Sequence, residues 1–498
     1  MTSTNSGTAE SFDAVVVGNG VLGISLALTL ARHGVAVALV GQEHRPWSAS
    51  AAAGAMIGCF GEVTTTLLHG RSGRAKLDLG FEARNRWDAW LAELDADAGE
   101  PGAESLITAD GTFVLLNAIG APGVDSDNYA AIRQALAEYG EKYEDVDPSQ
   151  IDWIEPDALA RPLKALHIPG EHAVNSALLL DRLRQAFIGR GGRLVTDEAV
   201  ELIVDHDRMD GVVLASGDRL SGRTVIVAAG ARTQLLLDGI PDLARTVPPL
   251  VSGYGVSVLL DTTPAGGRVP RSVIRTPNRA FACGLHVVPR GPGQVYVGAT
   301  NIISADPVAH PVVRDVHFLL DCAVRQVHRG LWHSPVTRTH VGNRPVSLDG
   351  YPLIGQAGPD GLWILTGTYR DGLTLSPLLA PELARRILGD AAQLDLGLFS
   401  PVRAPIQSME RHEIVRTTVT HTLAVGYESN WHLPVDWPTQ IEHNMYRELT
   451  FFADSLHPVF TPPPEILATA RHNPRISTRL RHYYDQYDAA GSGQDAIA

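Results

Sequence analysis

Residues 12–40 read FDAVVVGNGVLGISLALTLARHGVAVALV, and this stretch decides how the chain begins to fold. The apolar run 14–17 leads into the glycine motif 18–23, GNGVLG. An almost wholly apolar segment over 21–31 follows, and a second apolar run covers 35–40. This succession predicts a strand, a buried helix and a second strand, which is the first unit of a dinucleotide-binding sheet.

Each glycine of the motif has a mechanical reason. Gly18 permits the tight turn out of the strand, Gly20 lets the backbone approach a pyrophosphate, and Gly23 lets the helix pack close to the sheet. The N–H groups at Val21 and Leu22 would then face the phosphates at the positive end of the helix dipole. The alternative is a glycine-rich structural turn. Because the motif follows a strand and opens a helix, we predict a dinucleotide site.

The acid that usually closes the second strand and holds the adenosine ribose is displaced. The position after Val40 is Gly41, and Glu43 comes two residues later. Either Glu43 reaches the ribose through a longer loop, or Gln42 and backbone groups replace it; we expect Glu43. Arg45 either meets a phosphate or adenine, or is a solvated loop arginine.

The loop over 48–57 is rich in alanine and other small residues. Small side chains let a backbone lie against a flat ligand. The predicted ligand contacts of this loop are Ser50, Ala51, Ala53, Gly54 and Met56.

Composition places the chain among globular enzymes. It has 498 residues, 44% hydrophobic and 19% charged, which predicts two or three domains. The net charge of -14 argues against nucleic acid and an anionic membrane surface as partners. No apolar run reaches the roughly 18 residues that span a bilayer. Three cysteines without a CxxC pair favour a reducing, cytoplasmic location, and no metal-ligand spacing is present.

Further glycine-bearing strand and helix ends follow along the chain. The apolar strand 224–230 ends in Ala229 and Gly230, which lets a cofactor pass closely over its end. Residues 248–296 alternate as an antiparallel sheet with hairpins. The turn that contains Gly372 precedes a helix predicted over 378–388 and forms a second helix N-terminus that can cap a negative ring edge or carbonyl.

With these pieces in order, the sequence resembles the D-amino acid oxidase / glycine oxidase superfamily of FAD enzymes over roughly residues 12–390. The serine–alanine–glycine loop is most similar to that of glycine oxidases. The motifs that carry the resemblance are GNGVLG at 18–23, SAAAGAMI at 50–57, VIVAAGA at 225–231, HVVPR at 286–290, VGAT at 297–300, GNRPVSLDGYPLIG at 342–355 and TGTYRDGLTLSP at 366–377.

The resemblance implies an α/β fold in which a Rossmann-like FAD-binding domain is interleaved with an α+β substrate domain built on an antiparallel sheet. It also implies noncovalent FAD. We assign residues 11–65, 170–245 and 340–395 to the FAD domain and residues 66–169 and 246–339 to the substrate domain. Residues 396–488 form a C-terminal extension, aromatic enough to pack on the body as a lid or subunit interface, with a helix at 440–455. Residues 1–10 and 489–498 are predicted to be disordered tails.

The resemblance also implies roles for individual residues. Arg344 would grip the substrate carboxylate, because its planar fork pairs both oxygens. Tyr369 and Arg370 would lie near the flavin and the substrate mouth. The remaining implied cofactor contacts are Val200, Ala229, Gly230, Gly342, Arg370, Asp371, Gly372, Leu373 and Thr374.

The sequence departs from the family pattern in the pocket. The tyrosine that binds the carboxylate is here His286, and the usual Arg-Gly-Gln of the preceding strand is Ser252-Gly253-Tyr254. His286 either donates to a carboxylate or is an ordinary sheet histidine. These changes favour a substrate larger than glycine, such as an N-substituted glycine of specialised biosynthesis.

The implied activity is oxidation of the C–N bond of a carboxylate-bearing amine. Hydride passes to flavin N5, the imine becomes a carbonyl, and O2 is reduced to H2O2. One alternative is a 2-hydroxy acid dehydrogenase that passes electrons to a quinone or partner protein. Another is a flavin-containing scaffold protein. A homo-oligomer is left open.

Overall fold

The structure is a computed structural model that describes residues 10–43, 45, 47–98, 105–279, 284–428 and 433–488. The predicted tails therefore lie outside the described residues, except for Glu10, which begins the first strand rather than ending a tail.

The elements alternate between strands and helices through most of the described chain. The strands are β1 (Glu10–Val17), β2 (Val37–Val40), β3 (Met56–Ile57), β4 (Ile107–Ala109), β5 (Thr112–Asn117), β6 (Glu144–Val146), β7 (Pro162–Ile168), β8 (His172–Val174), β9 (Arg193–Val195), β10 (Ala199–Asp205), β11 (Arg208–Leu214), β12 (Arg219–Val227), β13 (Leu250–Asp261), β14 (Val273–Arg275), β15 (His286–Gly291), β16 (Gln294–Gly298), β17 (Ile302–Ser304), β18 (Val336–Ser347), β19 (Leu353–Gln356) and β20 (Leu362–Thr366).

The helices are α1 (Val21–Arg32), α2 (Ala49–Ala52), α3 (Thr65–Leu68), α4 (Arg71–Arg84), α5 (Trp87–Ala98), α6 (Pro122–Glu138), α7 (Ser176–Gly189), α8 (Thr233–Leu237), α9 (Pro241–Thr246), α10 (Val313–Gln326), α11 (Gly372–Ile387), α12 (Arg411–Glu428), α13 (Trp437–Leu456), α14 (Pro464–Ala470) and α15 (Pro474–Asp488). None of these described helices is both long and apolar enough to cross a membrane.

The first sheet has a parallel centre in which β1 lies between β12 and β2. The full order is β10-β11-β12-β1-β2-β9, with β20 beside β12 and β19 beside β20. Helix α1 packs under this sheet against α7 and α11. Its residues from Val21 to Ala31 are all buried, which explains why the segment is apolar on every face.

Helix α11 begins at Gly372, six residues before the predicted start. The predicted start lies directly after Pro377, and proline lacks the N–H that bonds the carbonyl four residues earlier in a helix. That carbonyl belongs to Leu373, and the Ser376 hydroxyl donates to it at 2.8 Å instead. The helix therefore tolerates the proline and points its N-terminus into the interior.

The second sheet is built around β13 and has nine strands. β18 pairs antiparallel with β13 from Leu250↔Ser347 to Leu260↔Val336. The boundary predicted between residues 339 and 340 falls inside β18, so this sheet carries Arg344. A small sheet of β3, β8 and β4 is not hydrogen-bonded to these two sheets but packs on the second one, where Ala109 and Ala173 share an apolar cluster with Val288.

The C-terminal extension packs on the body through a continuous apolar core. Helices α12–α15 bury Tyr483 and Tyr484 against residues that include Val346 and Tyr369. The helix predicted over 440–455 is α13. A buried ion pair adds to the contact, since Arg403 donates to both oxygens of Asp349 at 2.8 and 2.9 Å.

Candidate active site

A cavity of about 490 Å³ opens between the two large sheets, and we call it the main cavity. One end lies at the glycine turn between β1 and α1, and the other lies at Arg344 on β18. Of the predicted cofactor and substrate residues, Gly23, Glu43 and Ala51 do not line it, and all the others do. In the described part of the chain, no cluster of metal-ligating side chains was found.

The glycine turn closes only because side chains are missing. Gly18 has φ +112°, and a Cβ there would lie 2.3 Å from the Ala228 carbonyl oxygen. A Cβ at Gly23 would lie 1.8 Å from the Gly18 oxygen. Gly23 therefore lets the turn pack on itself and does not face the cavity. At the helix start, the Val21 N–H reaches Ser50 Oγ at 3.1 Å. The Val21 N–H is therefore bonded within the protein and does not face a phosphate as predicted, whereas Gly18, Gly20 and Leu22 still line the cavity at the helix start.

Arg45 supplies the cationic side chain at this end. Its Nη2 donates to the Asn19 carbonyl at 2.9 Å, while its buried Nε has no hydrogen-bond partner among the described residues. Burial lowers the pKa of Arg45 to about 10, so the group still carries its charge at neutral pH. An unpaired buried donor beside the glycine turn fits an anionic ligand such as the FAD pyrophosphate.

The structure does not support the expectation for Glu43. Its side chain is 78% exposed and lies 4.0 Å from Arg184, away from the main cavity. An acid at the neighbouring Gly41 would require the Asn19 side chain to move, because a Cβ there would come 2.2 Å from Asn19 Oδ1. The Asn19 amide, which donates to the Gln42 carbonyl at 3.1 Å, occupies that space.

Two carboxylates, Asp197 and Glu198, line this end of the main cavity, and Asp197 already accepts the backbone N–H groups of Glu198 and Ser216. Glu198 accepts a hydrogen bond from Gln42 Nε2 at 3.0 Å and forms an ion pair with Arg232. The feature of the sequence that could have indicated Glu198 is its position directly before β10, the strand that carries the predicted adenine contact Val200. Glu198 was not predicted, because the family pattern points to the end of the second strand for this acid.

The N-terminus of α11 forms the middle of the wall. Gly372, Leu373 and Thr374 all line the main cavity there. Asp371 precedes the helix and pairs with Lys76 at 2.9 Å. Because this carboxylate is already paired, the free helix N–H groups remain the attractive feature for a negative ring edge.

Arg344 projects from β18 at the other end. Its Nη1 donates to the carbonyls of Gly253 and Thr300 at 3.3 and 3.2 Å and to Asn301 Oδ1 at 3.2 Å. A Cβ on Gly255 would lie 2.5 Å from Nη1, so that glycine makes room for the side chain. Among the described residues, no carboxylate lies within 4.0 Å of this guanidinium group. The half-buried cation is therefore held in place by neutral groups only.

Beside it lies a network that the sequence argument missed. The Glu62 carboxylate accepts a hydrogen bond from Arg275 Nη1 at 2.6 Å and lies 3.7 Å from Arg370 Nη1. Asn278 donates to the same carboxylate at 3.0 Å. Burial opposes ionisation of Glu62, but Arg275 and Arg370 outweigh it and hold its pKa well below the usual range. No motif marks Glu62 and Arg275, which are far apart in sequence.

His286 is buried, with its Nδ1 2.9 Å from the Gly284 carbonyl oxygen. Burial lowers its pKa to about 4, and the charges of Arg275 and Arg344 act in the same direction. The ring is therefore neutral at pH 7. A carbonyl only accepts, so Nδ1 carries the hydrogen and Nε2 is an acceptor. The predicted donation from His286 to a carboxylate thus does not fit this geometry.

Tyr369 connects these groups to the rest of the wall. It has φ +54°, and its hydroxyl accepts a hydrogen bond from the Asn301 amide. The Arg370 guanidinium lies 4.8 Å from the Tyr369 ring centroid. Since Asn301 also contacts Arg344, the tyrosine couples the positions of both arginines.

The comparisons with known proteins agree with this geometry. The family described as DAO, FAD dependent oxidoreductase, matches residues 13–386. A glycine oxidase from Geobacillus kaustophilus is 26% identical over 410 residues, 79% of this chain and 97% of that protein. Another from Pseudomonas aeruginosa is 26% identical over 396 residues, 78% of this chain and 98% of that protein.

Solved structures share the fold. The crystal structure of glycine oxidase from Geobacillus kaustophilus superposes with a TM-score of 0.66 at 22% identity, over 79% of this chain and 99% of that one. The crystal structure of an iminodiacetate oxidase from Chelativorans sp. BNC1 superposes with a TM-score of 0.65 at 22% identity, over 78% of this chain and 100% of that one. The chain therefore belongs to the DAO family and is an FAD-dependent oxidoreductase of the glycine oxidase type.

Proposed function

We propose that this protein oxidises the C–N bond of an amine that carries a carboxylate, with an N-substituted glycine as the substrate class. The observation that carries the proposal is Arg344, a cation without a carboxylate partner in the described wall of the main cavity. Bound FAD accepts the hydride and passes the electrons to O2, which yields H2O2.

Arg344 is suited to binding the carboxylate. Three neutral acceptors hold its Nη1, which leaves the edge formed by Nε and Nη2 for a ligand. A planar guanidinium edge pairs both oxygens of a carboxylate and so fixes its orientation as well as its position. Asn301 and Tyr369 limit the movement of the side chain behind it.

His286 is suited to orienting the amine. Its Nε2 is an acceptor, and a Cβ on Gly54 would lie 3.1 Å from it, so the loop glycine keeps this nitrogen uncrowded. We propose that Nε2 accepts the amine N–H while Arg344 holds the carboxylate. With a pKa of about 4, His286 is a weak base, so its role is orientation.

The charges of the pocket favour the reactive form of the amine. Arg275, Arg344 and Arg370 all line the main cavity, and Glu62 contacts only the first and the last. Glu171 and Asp371 also line the cavity, so the charge that no nearby carboxylate compensates is that of Arg344. This charge attracts a carboxylate and disfavours an ammonium group close to it, because like charges lower an amine pKa. A neutral amine can give up hydride without a side-chain base. Water then converts the imine to a carbonyl compound.

Two relatives support the substrate class by their names. One acts on glycine and the other on iminodiacetate, a secondary amine with two carboxylates. His286 in place of the family tyrosine widens the choice to N-substituted amines, since it offers an acceptor to N–H.

Anaerobic stopped-flow mixing tests the proposal. Glycine, sarcosine and iminodiacetate are mixed with the holoenzyme, and glycolate and lactate serve as hydroxy acid controls. We expect flavin bleaching with at least one amine, and peroxide when oxygen is admitted. Bleaching by the hydroxy acids alone, or by none of the five compounds, would overturn the proposal.

A further inference from the structure

A second cavity of about 200 Å³ lies beside the substrate end of the main cavity, and we call it the tail chamber. The two spaces share part of their walls, on either side of Arg370. The shared residues are Gly58, Glu62, Tyr369, Arg370, Asp371 and Thr374. The Glu62–Arg370 contact in this partition is long, at 3.7 Å, and is not a hydrogen bond.

The far wall of the tail chamber comes from the C-terminal extension. Its residues lie at 406–409, on α12 between 414 and 421, and at 461–465. The match to the family model ends at residue 386, so this wall lies outside the residues that the family model covers. The extension packs on Tyr369 from the same side, which places the chamber next to the proposed substrate groups.

The fixed charges around the chamber are mostly paired within the protein. Lys76 pairs with Asp371 at 2.9 Å, and Arg403 binds both oxygens of Asp349. Glu62 is held by Arg275 and Arg370. Glu465 differs, because no cationic side chain among the described residues forms an ion pair with its carboxylate.

Neutral polar groups complete the chamber wall. Gln407 Oε1 accepts a hydrogen bond from the Thr461 N–H at 2.9 Å, so the Gln407 side chain has its Nε2 group left as a donor for a ligand. Thr417, which carries a hydroxyl group, lines the same side. A wall with hydroxyl, amide and one unpaired carboxylate group suits a hydrogen-bonding, non-anionic ligand group and disfavours a second carboxylate.

We propose that the tail chamber binds the nitrogen substituent of an extended substrate, and that this substituent is polar and non-anionic, with an ammonium group preferred. The proposal rests on the proposed function, in which Arg344 holds the carboxylate. The substituent passes beside Arg370 and ends near Glu465. The extension thereby selects substrates that are longer than glycine.

Ether analogues test this without turnover, because oxygen replaces the amine nitrogen. Methoxyacetate, (2-hydroxyethoxy)acetate and (2-aminoethoxy)acetate are titrated into the FAD-loaded enzyme by calorimetry. We expect the aminoethoxy compound to bind about tenfold more tightly than methoxyacetate, with the hydroxyethoxy compound between them. In Glu465→Gln the advantage of the ammonium tail should disappear, whereas Glu442→Gln, on an exposed part of α13, should keep it.

Equal affinities for all three compounds, or an ammonium advantage that survives in Glu465→Gln, would overturn the proposal. Thr417→Phe gives a second check, since a bulky side chain should remove the advantage of both tails by filling the chamber. Failure of the proposed function gives a different result, in which no amine bleaches the flavin while the tail preference is still present in the binding data.

Discussion

One end of the main cavity is walled by consecutive backbone, and the other end by side chains drawn from distant segments. At the nucleotide end, the turn at residues 18–23 and the strand end near Ala228 leave space because they lack bulk. At the substrate end, Glu62, Arg275 and Arg344 meet only after two sheets and the connecting loops have formed.

The difference shows how each end resists change. Backbone N–H groups are present whatever the side chain, so the nucleotide end depends on the absence of Cβ atoms and tolerates little addition. The substrate end depends on charges that balance one another, so it responds to removal of a group and to pH. The following predictions test this contrast, beginning with the largest expected effect.

Gly18→Ala should abolish stable FAD binding. Its Cβ would meet the Ala228 oxygen at 2.3 Å, and the φ of +112° strains any side chain. We expect a loss of about 3 kcal/mol or more in the free energy of unfolding and a protein isolated without flavin absorbance. Gly34→Ala is the matched control, because φ is +80° there and no atom lies within 4 Å. Equal losses in both variants would mean that steric closure of the turn is unimportant.

Arg344→Ala should lower kcat/KM for the amine by about 10²- to 10³-fold, because it removes the partner of a buried carboxylate. FAD content should stay unchanged, since this change lies at the opposite end of the cavity from the glycine turn. Steady-state peroxide release and the flavin spectrum measure the two effects. Arg338→Ala, an exposed position on the same strand, provides the control. Loss of flavin from the Arg344 variant would contradict the separation of the two ends.

His286→Gln should reduce the loss of unfolding free energy that the protein shows as pH falls. In the folded protein the pKa falls from 6.5 to about 4, so the unfolded chain binds the proton first as pH decreases. The wild type should therefore keep its full stability above about pH 6.5 and lose about 3 kcal/mol as pH falls to about 4. Urea unfolding of the holoenzyme at several pH values measures this. His333→Gln, at an exposed position, controls for the loss of one imidazole, and an unchanged slope in His286→Gln would contradict the assignment.

Glu198→Gln should weaken FAD binding by about 10- to 100-fold, since a carboxylate that accepts from a ribose hydroxyl contributes about 1.5–3 kcal/mol. Glu43→Gln should change FAD affinity by less than about twofold, because its side chain is exposed away from the cavity. Fluorescence titration of apoprotein with FAD compares the two. The reverse ranking would restore Glu43 as the ribose acid.

Much of the nucleotide end could be predicted, because each signal lies within one short segment. The glycine motif, the alanine-rich loop and the helix start at Gly372 all place their residues on the cavity wall, apart from Gly23 and Ala51. Ala51 is exposed because α2 turns its other side inward. Pro377 shifted the predicted start of α11, because the Ser376 hydroxyl that replaces the missing bond has no recognisable spacing.

The substrate end was only partly predictable. Arg344 followed from the resemblance, but its neutral anchors at Gly253 and Thr300 depend on the register between β13 and β18. The neutral state of His286 depends on burial and on two arginines far away in sequence. Such long-range proximity has no local signature.

By itself, the sequence determined the glycine turn that opens the dinucleotide-binding sheet, and it predicted an arginine for an anionic substrate group. These features are local, since a turn needs particular glycines and a charge needs a particular side chain. Only the tertiary structure placed Glu198 rather than Glu43 on the wall of the main cavity, bonded His286 Nδ1 to a backbone carbonyl, and brought the C-terminal extension to the wall of a second chamber. Each of these depends on which groups lose water and which charges meet, and the packing of distant segments sets both.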